Sequence, residues 1–186
     1  MIDYLIQLDT NLFLALNGAH SPFWDSIMYF ASGKLSWLLL YLVIVFFIAR
    51  EHKWKALWWL LAIAFVVLLA DQISVQAFKN VFQRLRPCHN PDLSEFIHLV
   101  GRCGGKYGFI SSHAANTFGV AVFLSFLFNR KWVTVGLLVW AAFVSYSRIY
   151  LGVHYPGDVL VGAIVGAGIG SAVWFVASKI LNKSRK

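Results

Sequence analysis

The chain has 186 residues and a formal net charge of +8; 59% of its residues are hydrophobic, 17% aromatic and only 13% charged. Soluble domains average about 45–50% apolar and about 25% charged residues, so with a mean hydropathy of +0.67 this composition excludes an ordinary soluble domain and describes an integral membrane protein. Its length suits a single domain over 1–186, and its basic residues sit at the ends of apolar runs and in one loop, which favours topology signals and an anionic ligand over a nucleic-acid partner.

Residues 1–32 read as an interfacial segment. Leu5, Leu8, Leu12 and Leu16 recur at helical spacing but alternate with Asp3, Gln7, Asp9 and Asn11, too polar a pattern to span a bilayer. No basic region precedes an apolar run here, so no signal peptide is expected. Ser21-Pro22 opens a second short segment that dips toward the membrane. A transmembrane core is predicted over 33–178, with helices at about 33–50, 56–78, 113–128, 132–146 and 156–177, followed by a basic tail, 179–186. Each helix is near the ~20 residues that cross a bilayer, the third being short. The fold class is therefore all-α, a polytopic membrane bundle of about five spanning helices.

Five spans place Arg50, Lys53 and Lys55, Arg130 and Lys131, and Lys179, Lys183, Arg185 and Lys186 on one side, the cytoplasmic one by the positive-inside rule. The loop 79–112 and the stretch 147–158 then share the opposite face. That face still carries Lys79, Arg84, Arg86, Arg102, Lys106 and Arg148, which runs against topology bias and points to an anion held there. Cys88 and Cys103 lie in the same loop. A disulfide closing about 15 residues would stabilise it by ~3 kcal/mol; free thiols, or a metal site with His89 and His98, are the alternatives, although these spacings match no strong zinc pattern.

Three clusters carry chemistry. Lys79 and Arg86, ahead of Pro87, would lie on one side of a helix that Pro87 ends, a point charge and a bidentate fork for phosphate oxygens. Snorkelling interfacial cations would look the same. Ser111-Ser112-His113 starts the third span, where a capping serine, free backbone N–H groups and a first-turn histidine meet. Ser147-Arg148, His154 and Asp158 form the third cluster; at four-residue spacing a carboxylate can fix an imidazole tautomer, while a plain helix start is the rival reading.

Lys79-x6-Arg86-Pro87, Ser111-x-His113 and Ser147-Arg148-x5-His154-x3-Asp158 together resemble the three-part signature of the type 2 phosphatidic acid phosphatase family, within the superfamily that includes vanadium haloperoxidases. The second motif departs from the family's Pro-Ser-Gly-His at two positions, Ile110 and Ser112. The resemblance covers about residues 50–178. It implies hydrolysis of a lipid phosphate or diphosphate without metal or other cofactor. His154 is implied as the nucleophile that forms a phosphohistidine, Asp158 as its orienting group and His113 as the acid for the leaving oxygen. Lys79, Arg86, Ser111, Ser112 and Arg148 are implied as phosphate-holding residues. Candidate substrates are undecaprenyl diphosphate, phosphatidylglycerol phosphate, phosphatidic acid and lipid A 1-phosphate, with a lean toward the first two types, in a bacterial inner membrane with the site on the extracytoplasmic face. A lipid phosphotransferase of the same family, or a non-enzymatic lipid or anion transporter, are the other readings; membrane lipids are the expected partners.

Three further features belong to the membrane core. Asp71 lies eight residues before Lys79 and is expected to pair with a polar group on a neighbouring helix, and Asn116 either orients His113 or packs. Gly162, Gly166 and Gly170 form a small-residue stripe, expected to press their helix against its neighbours, with dimerisation the lesser option.

Overall fold

A computed structural model of the protein describes residues 1–183. Helices α1 (Ile2–Gly18) and α2 (Pro22–Ser32) precede α3 (Leu38–His52) and α4 (Ala56–Gln72). The chain runs on from α4 through a π-helical segment, Ile73–Lys79, and one more turn, α5 (Asn80–Phe82). After a long connection come α6 (Ser112–Phe128), α7 (Lys131–Tyr150) and α8 (Pro156–Lys183). No strand forms among the described residues; Leu85 and Tyr107 make a single antiparallel bridge.

Local chemistry sets the helix boundaries. Ser21 caps α2, its hydroxyl accepting from the Trp24 N–H, and Pro22 takes the first helical position. Ser111 caps α6 through the Ala114 N–H, as its place in the sequence predicts, and Asn129 closes α6 in the left-handed conformation. Pro156 opens α8.

The bundle centres on α6, which packs most closely against α8 and also against α7 and α4. Its 17 residues give a helix of only ~26 Å, shorter than the ~30 Å hydrocarbon core. Ile48, Trp59, Val66, Phe123, Leu124, Leu137 and Val144 form the main core between α3, α4, α6 and α7. Outward, the surfaces are apolar: only 17% of the most hydrophobic window of α8 is buried within the protein, and Leu39, Leu61, Leu68, Val139 and Ile164 project outward. Such a surface needs lipid around it. Among the described residues, three continuous helical stretches, Leu35–Phe82, Lys131–Tyr150 and Pro156–Leu181, are long and apolar enough to cross a membrane, and the first contains both α3 and α4.

The expected stripe on α8 is the seam with α6. A methyl group on Gly162 would stand 2.7 Å from the Ser111 carbonyl oxygen, and methyls on Gly166 and Gly170 would overlap the backbones of Ala115 and Gly119. These glycines therefore serve packing within the chain rather than a dimer. The basic ends also converge: Arg130 pairs with Glu51 at 2.8 Å, and the Lys55 ammonium donates to the Leu181 carbonyl. Of the predicted tail, Arg185 and Lys186 lie outside the described residues.

Several expectations need correction. The helix bearing Lys79 ends at Phe82 because Gln83 turns left-handed (φ 47), so Pro87 does not end it and Arg86 is not on a helix face. Ser147 and Arg148 lie in the last turn of α7, not in a connection. Asp71 is exposed and has no hydrogen-bonding or ionic partner among the described residues. Cys88 and Cys103 are joined, with Cα atoms 5.9 Å apart, which leaves neither thiol for a metal.

Gly166→Ala should lower the thermal unfolding midpoint in detergent, equivalent to about 1–3 kcal/mol of overpacking. Gly168→Ala, whose methyl would meet nothing within 4 Å, should leave it unchanged; equal effects of the two would contradict the seam.

Candidate active site

The site assembles where the N-termini of α6 and α8 meet the ends of α5 and α7. The Ser111 N–H donates to the Asp158 carbonyl at 2.9 Å, which locks these two helix starts together. The chain from Arg84 to Arg86 is extended and held against Lys106–Gly108 by two backbone hydrogen bonds, Arg86 N–H to Lys106 O (3.1 Å) and Gly108 N–H to Arg84 O (2.9 Å). In extended backbone, residues two apart point the same way, so both arginines reach α8. A methyl on Gly108 would come within 3.0 Å of Arg86 Cγ and 3.1 Å of Asp158 Oδ2, so this position requires the bare backbone.

His154 precedes α8 instead of lying in it, and its backbone N–H, like that of Val153, donates to the Arg148 carbonyl at 3.2 Å. It nonetheless meets Asp158: its Nδ1 is 3.3 Å from Oδ2. On the other side of the ring, Arg86 Nη1 lies 3.0 Å from His154 Nε2 and 3.2 Å from the Val153 carbonyl. A guanidinium can only donate. Nε2 is therefore the acceptor, and the proton sits on Nδ1 facing Asp158. The imidazole is neutral with its Nε2 lone pair directed at the arginine. Burial first, then the charges of Arg86, Arg148 and Lys79, push His154 well below its usual pKa of 6.5, so this neutral form persists below neutral pH. Burial also pushes the Arg86 guanidinium down, with Asp158 opposing it.

The other predicted residues are placed around this pair. Lys79 donates to the Ser112 hydroxyl at 2.7 Å, so the serine standing in the family's glycine position holds a cation of the first motif. Arg148 donates to the Ser32 hydroxyl. The Nε groups of Arg86 and Arg148 are both buried without a protein hydrogen-bond partner, and both arginines act electrostatically on His154. His113 lines an apolar cleft of about 430 Å³ with Lys34, Trp37, Leu60, Val67 and Trp140, and His154 is not part of its lining. No hydrogen bond joins His113 to His154 among the described residues. Asn116 does not orient His113: its Oδ1 is buried and unpartnered.

Two residues were not foreseen as members of the site. Arg84 bridges Asp158 Oδ1 (3.0 Å) and Asp9 Oδ2 (2.8 Å), its guanidinium 4.0 Å from the centre of the Tyr155 ring. Asp9 Oδ1 also accepts from the Gly157 N–H at 2.7 Å. The alternation of Arg84 and Arg86 was a usable signal for the first. Asp9 carried none, since one acid among the polar residues of an amphipathic helix looks like any other.

Residues 55–181 match the family model described as PAP2 superfamily. The chain is 42% identical over 184 residues to a lipid A 4'-phosphatase of Bacteroides thetaiotaomicron, covering 97% of this chain and 81% of that protein. It is 39% identical over 177 residues to a lipid A 4'-phosphatase of Porphyromonas gingivalis, covering 94% and 75%. In fold it is similar to a transmembrane PAP2 type phosphatidylglycerolphosphate phosphatase from Bacillus subtilis, with a TM-score of 0.70, 22% identity, and 98% and 88% of the two chains covered.

In protein carrying 15N-labelled histidine, His154 should show a protonated Nδ1 and a bare Nε2 at neutral pH. A proton on Nε2 would contradict the arrangement around Arg86.

Proposed function

As the chain belongs to the PAP2 superfamily and is a lipid phosphatase of that family, we propose that it hydrolyses a phosphate monoester of a lipid A-type glycolipid, at the 4' position, through a phosphohistidine. The chemistry is supported by one observation: the bare Nε2 of a neutral, buried His154 faces the Arg86 guanidinium, whose Nε, like that of Arg148, is buried without a protein partner. A tetrahedral phosphate dianion satisfies both. The substrate class is supported by the two relatives named as lipid A 4'-phosphatases, in place of the isoprenyl diphosphate or glycerophospholipid phosphate toward which the short, compact chain leans. The apolar cleft beside His113 suits a substrate with acyl chains.

The steps follow from these placements. Phosphate oxygens take hydrogen bonds from Arg86, Arg148, Lys79 and the N-terminal N–H groups of α6 with Ser111 and Ser112, which spreads the charge of a loose transition state. Arg86 Nη1 turns from Nε2 to an oxygen, and Nε2 attacks phosphorus as the P–O bond to the sugar breaks. His113, protonated when the phosphate dianion is bound, gives that proton to the departing oxygen, and Asp158 stabilises the cationic phosphoimidazole through Nδ1–H. Neutral His113 then takes a proton from water as that water attacks phosphorus, releasing His154 and inorganic phosphate. By the positive-inside rule the end holding Arg50, Lys53, Arg130 and Lys131 is cytoplasmic, which puts this chemistry on the extracytoplasmic face of a bacterial inner membrane.

Purified protein in detergent with EDTA should release phosphate from lipid A carrying a 4'-phosphate in preference to phosphatidic acid, phosphatidylglycerol phosphate or undecaprenyl diphosphate. His154→Ala should lose at least about 10³-fold in turnover while keeping its unfolding midpoint. Retained turnover in that variant would sink the mechanism, and preference for a diphosphate would sink the substrate assignment.

A further inference from the structure

Helix α1 lies outside the 55–181 region matched by the family model, yet it is fixed against the site at three levels. Phe13 packs edge-on to Tyr155, ring centres 5.4 Å apart. The Asn17 amide donates to the carbonyls of His98 (2.9 Å) and Tyr150 (2.7 Å) and accepts the His98 N–H (2.8 Å). Asp9, between the helix start and these anchors, puts both carboxylate oxygens to use: Oδ2 on Arg84 Nη2 at 2.8 Å and Oδ1 on the Gly157 N–H at 2.7 Å. A methyl on Gly157 would lie 2.8 Å from Asp9 Oδ2, so the carboxylate has no room to shift toward α8.

Resting on the phosphatase reading above, we propose that Asp9 is a positioning residue for the reaction, acting through Arg84 and the first turn of α8 on the Asp158–His154 pair. The physical reason is a competition for one buried carboxylate. Asp158 must leave Oδ2 free for the Nδ1–H of His154 and the Tyr155 N–H (3.1 Å). Arg84, with its fork of donors, would otherwise close on both oxygens in the bidentate manner that guanidinium and carboxylate prefer. Asp9 takes one arm of that fork and leaves Asp158 a single contact through Oδ1. It also holds Gly157, which adjoins Asp158 in the chain, so the start of α8 and the arginine are set by the same carboxylate. Groups that orient a reacting side chain from outside its contact shell govern activity without touching substrate.

The test is Asp9→Asn, which keeps shape and removes charge. Its kcat for phosphate release should fall roughly tenfold or more, with KM within about twofold and an unchanged unfolding midpoint. Gly157→Ala, which displaces Asp9, should lower kcat in the otherwise native protein and add no loss in an Asp9→Ala background. The 15N and proton signals of His154 Nδ1–H should move in Asp9→Asn, a readout that needs no turnover. Native kcat with an unmoved His154 signal, additive losses in the double variant, or a loss of kcat matched by a falling midpoint and rising KM would each overturn the proposal. If Asp9→Asn does not accumulate folded, Gly157→Ala decides, with native kcat overturning it. A native protein that releases no phosphate while its His154 signal still responds to Asp9→Asn would sink the phosphatase reading and uphold the positioning role.

Discussion

The structure turns on the Asp158 carboxylate, which has no solvent exposure. A buried carboxylate is tolerated only when its oxygens are paired and hydrogen-bonded. Asp158 meets that demand with Arg84 on Oδ1, and with His154 Nδ1 and the Tyr155 N–H on Oδ2, while its backbone carbonyl takes the Ser111 N–H. These partners come from three different pieces of the chain. The extended segment after α5, the turn before α8 and the cap of α6 are therefore drawn to one point by the needs of a single side chain.

That convergence is possible only because α8 lies close against α6. The glycines at 162, 166 and 170 remove the side chains that would hold the two helices apart, and the resulting register puts the Asp158 carbonyl on the Ser111 N–H. Packing in the membrane interior and alignment of the groups of the candidate site at its edge are thus one constraint. The consequence at His154 is electronic. With Asp158 facing Nδ1 and Arg86 able only to donate, the lone pair of His154 is left on Nε2, toward the Arg86 guanidinium.

Much of this was legible in the sequence because apolar runs and motif spacing survive without tertiary information. The runs ending at Arg50, Phe128 and Tyr146 mark α3, α6 and α7 to within a few residues, and Ser111 and Pro156 were recognisable as helix starts. The pairing of His154 with Asp158 followed from their spacing, although His154 sits just ahead of the helix rather than in it. What failed did so where backbone departs from ideal geometry. The left-handed Gln83 redirects the chain beyond it, so the shared helix face of Lys79 and Arg86 did not materialise, and Asp71 is exposed without the partner expected on a neighbouring helix. Asp9 was invisible for another reason: its role depends on a contact across 148 positions of sequence, and nothing local announces it. The departure at Ser112 has a structural outcome that its sequence position did not suggest, namely a hydroxyl that holds Lys79.

The account makes His154 a covalent catalyst, and trapping of the intermediate tests that most directly. Brief incubation with lipid A labelled in its 4'-phosphate, quenched in alkali, should leave label on His154 as an acid-labile, base-stable phosphoramidate that is absent from His154→Ala. Turnover of the same substrate with no label on any histidine, at quench times that span the first turnover, would contradict it.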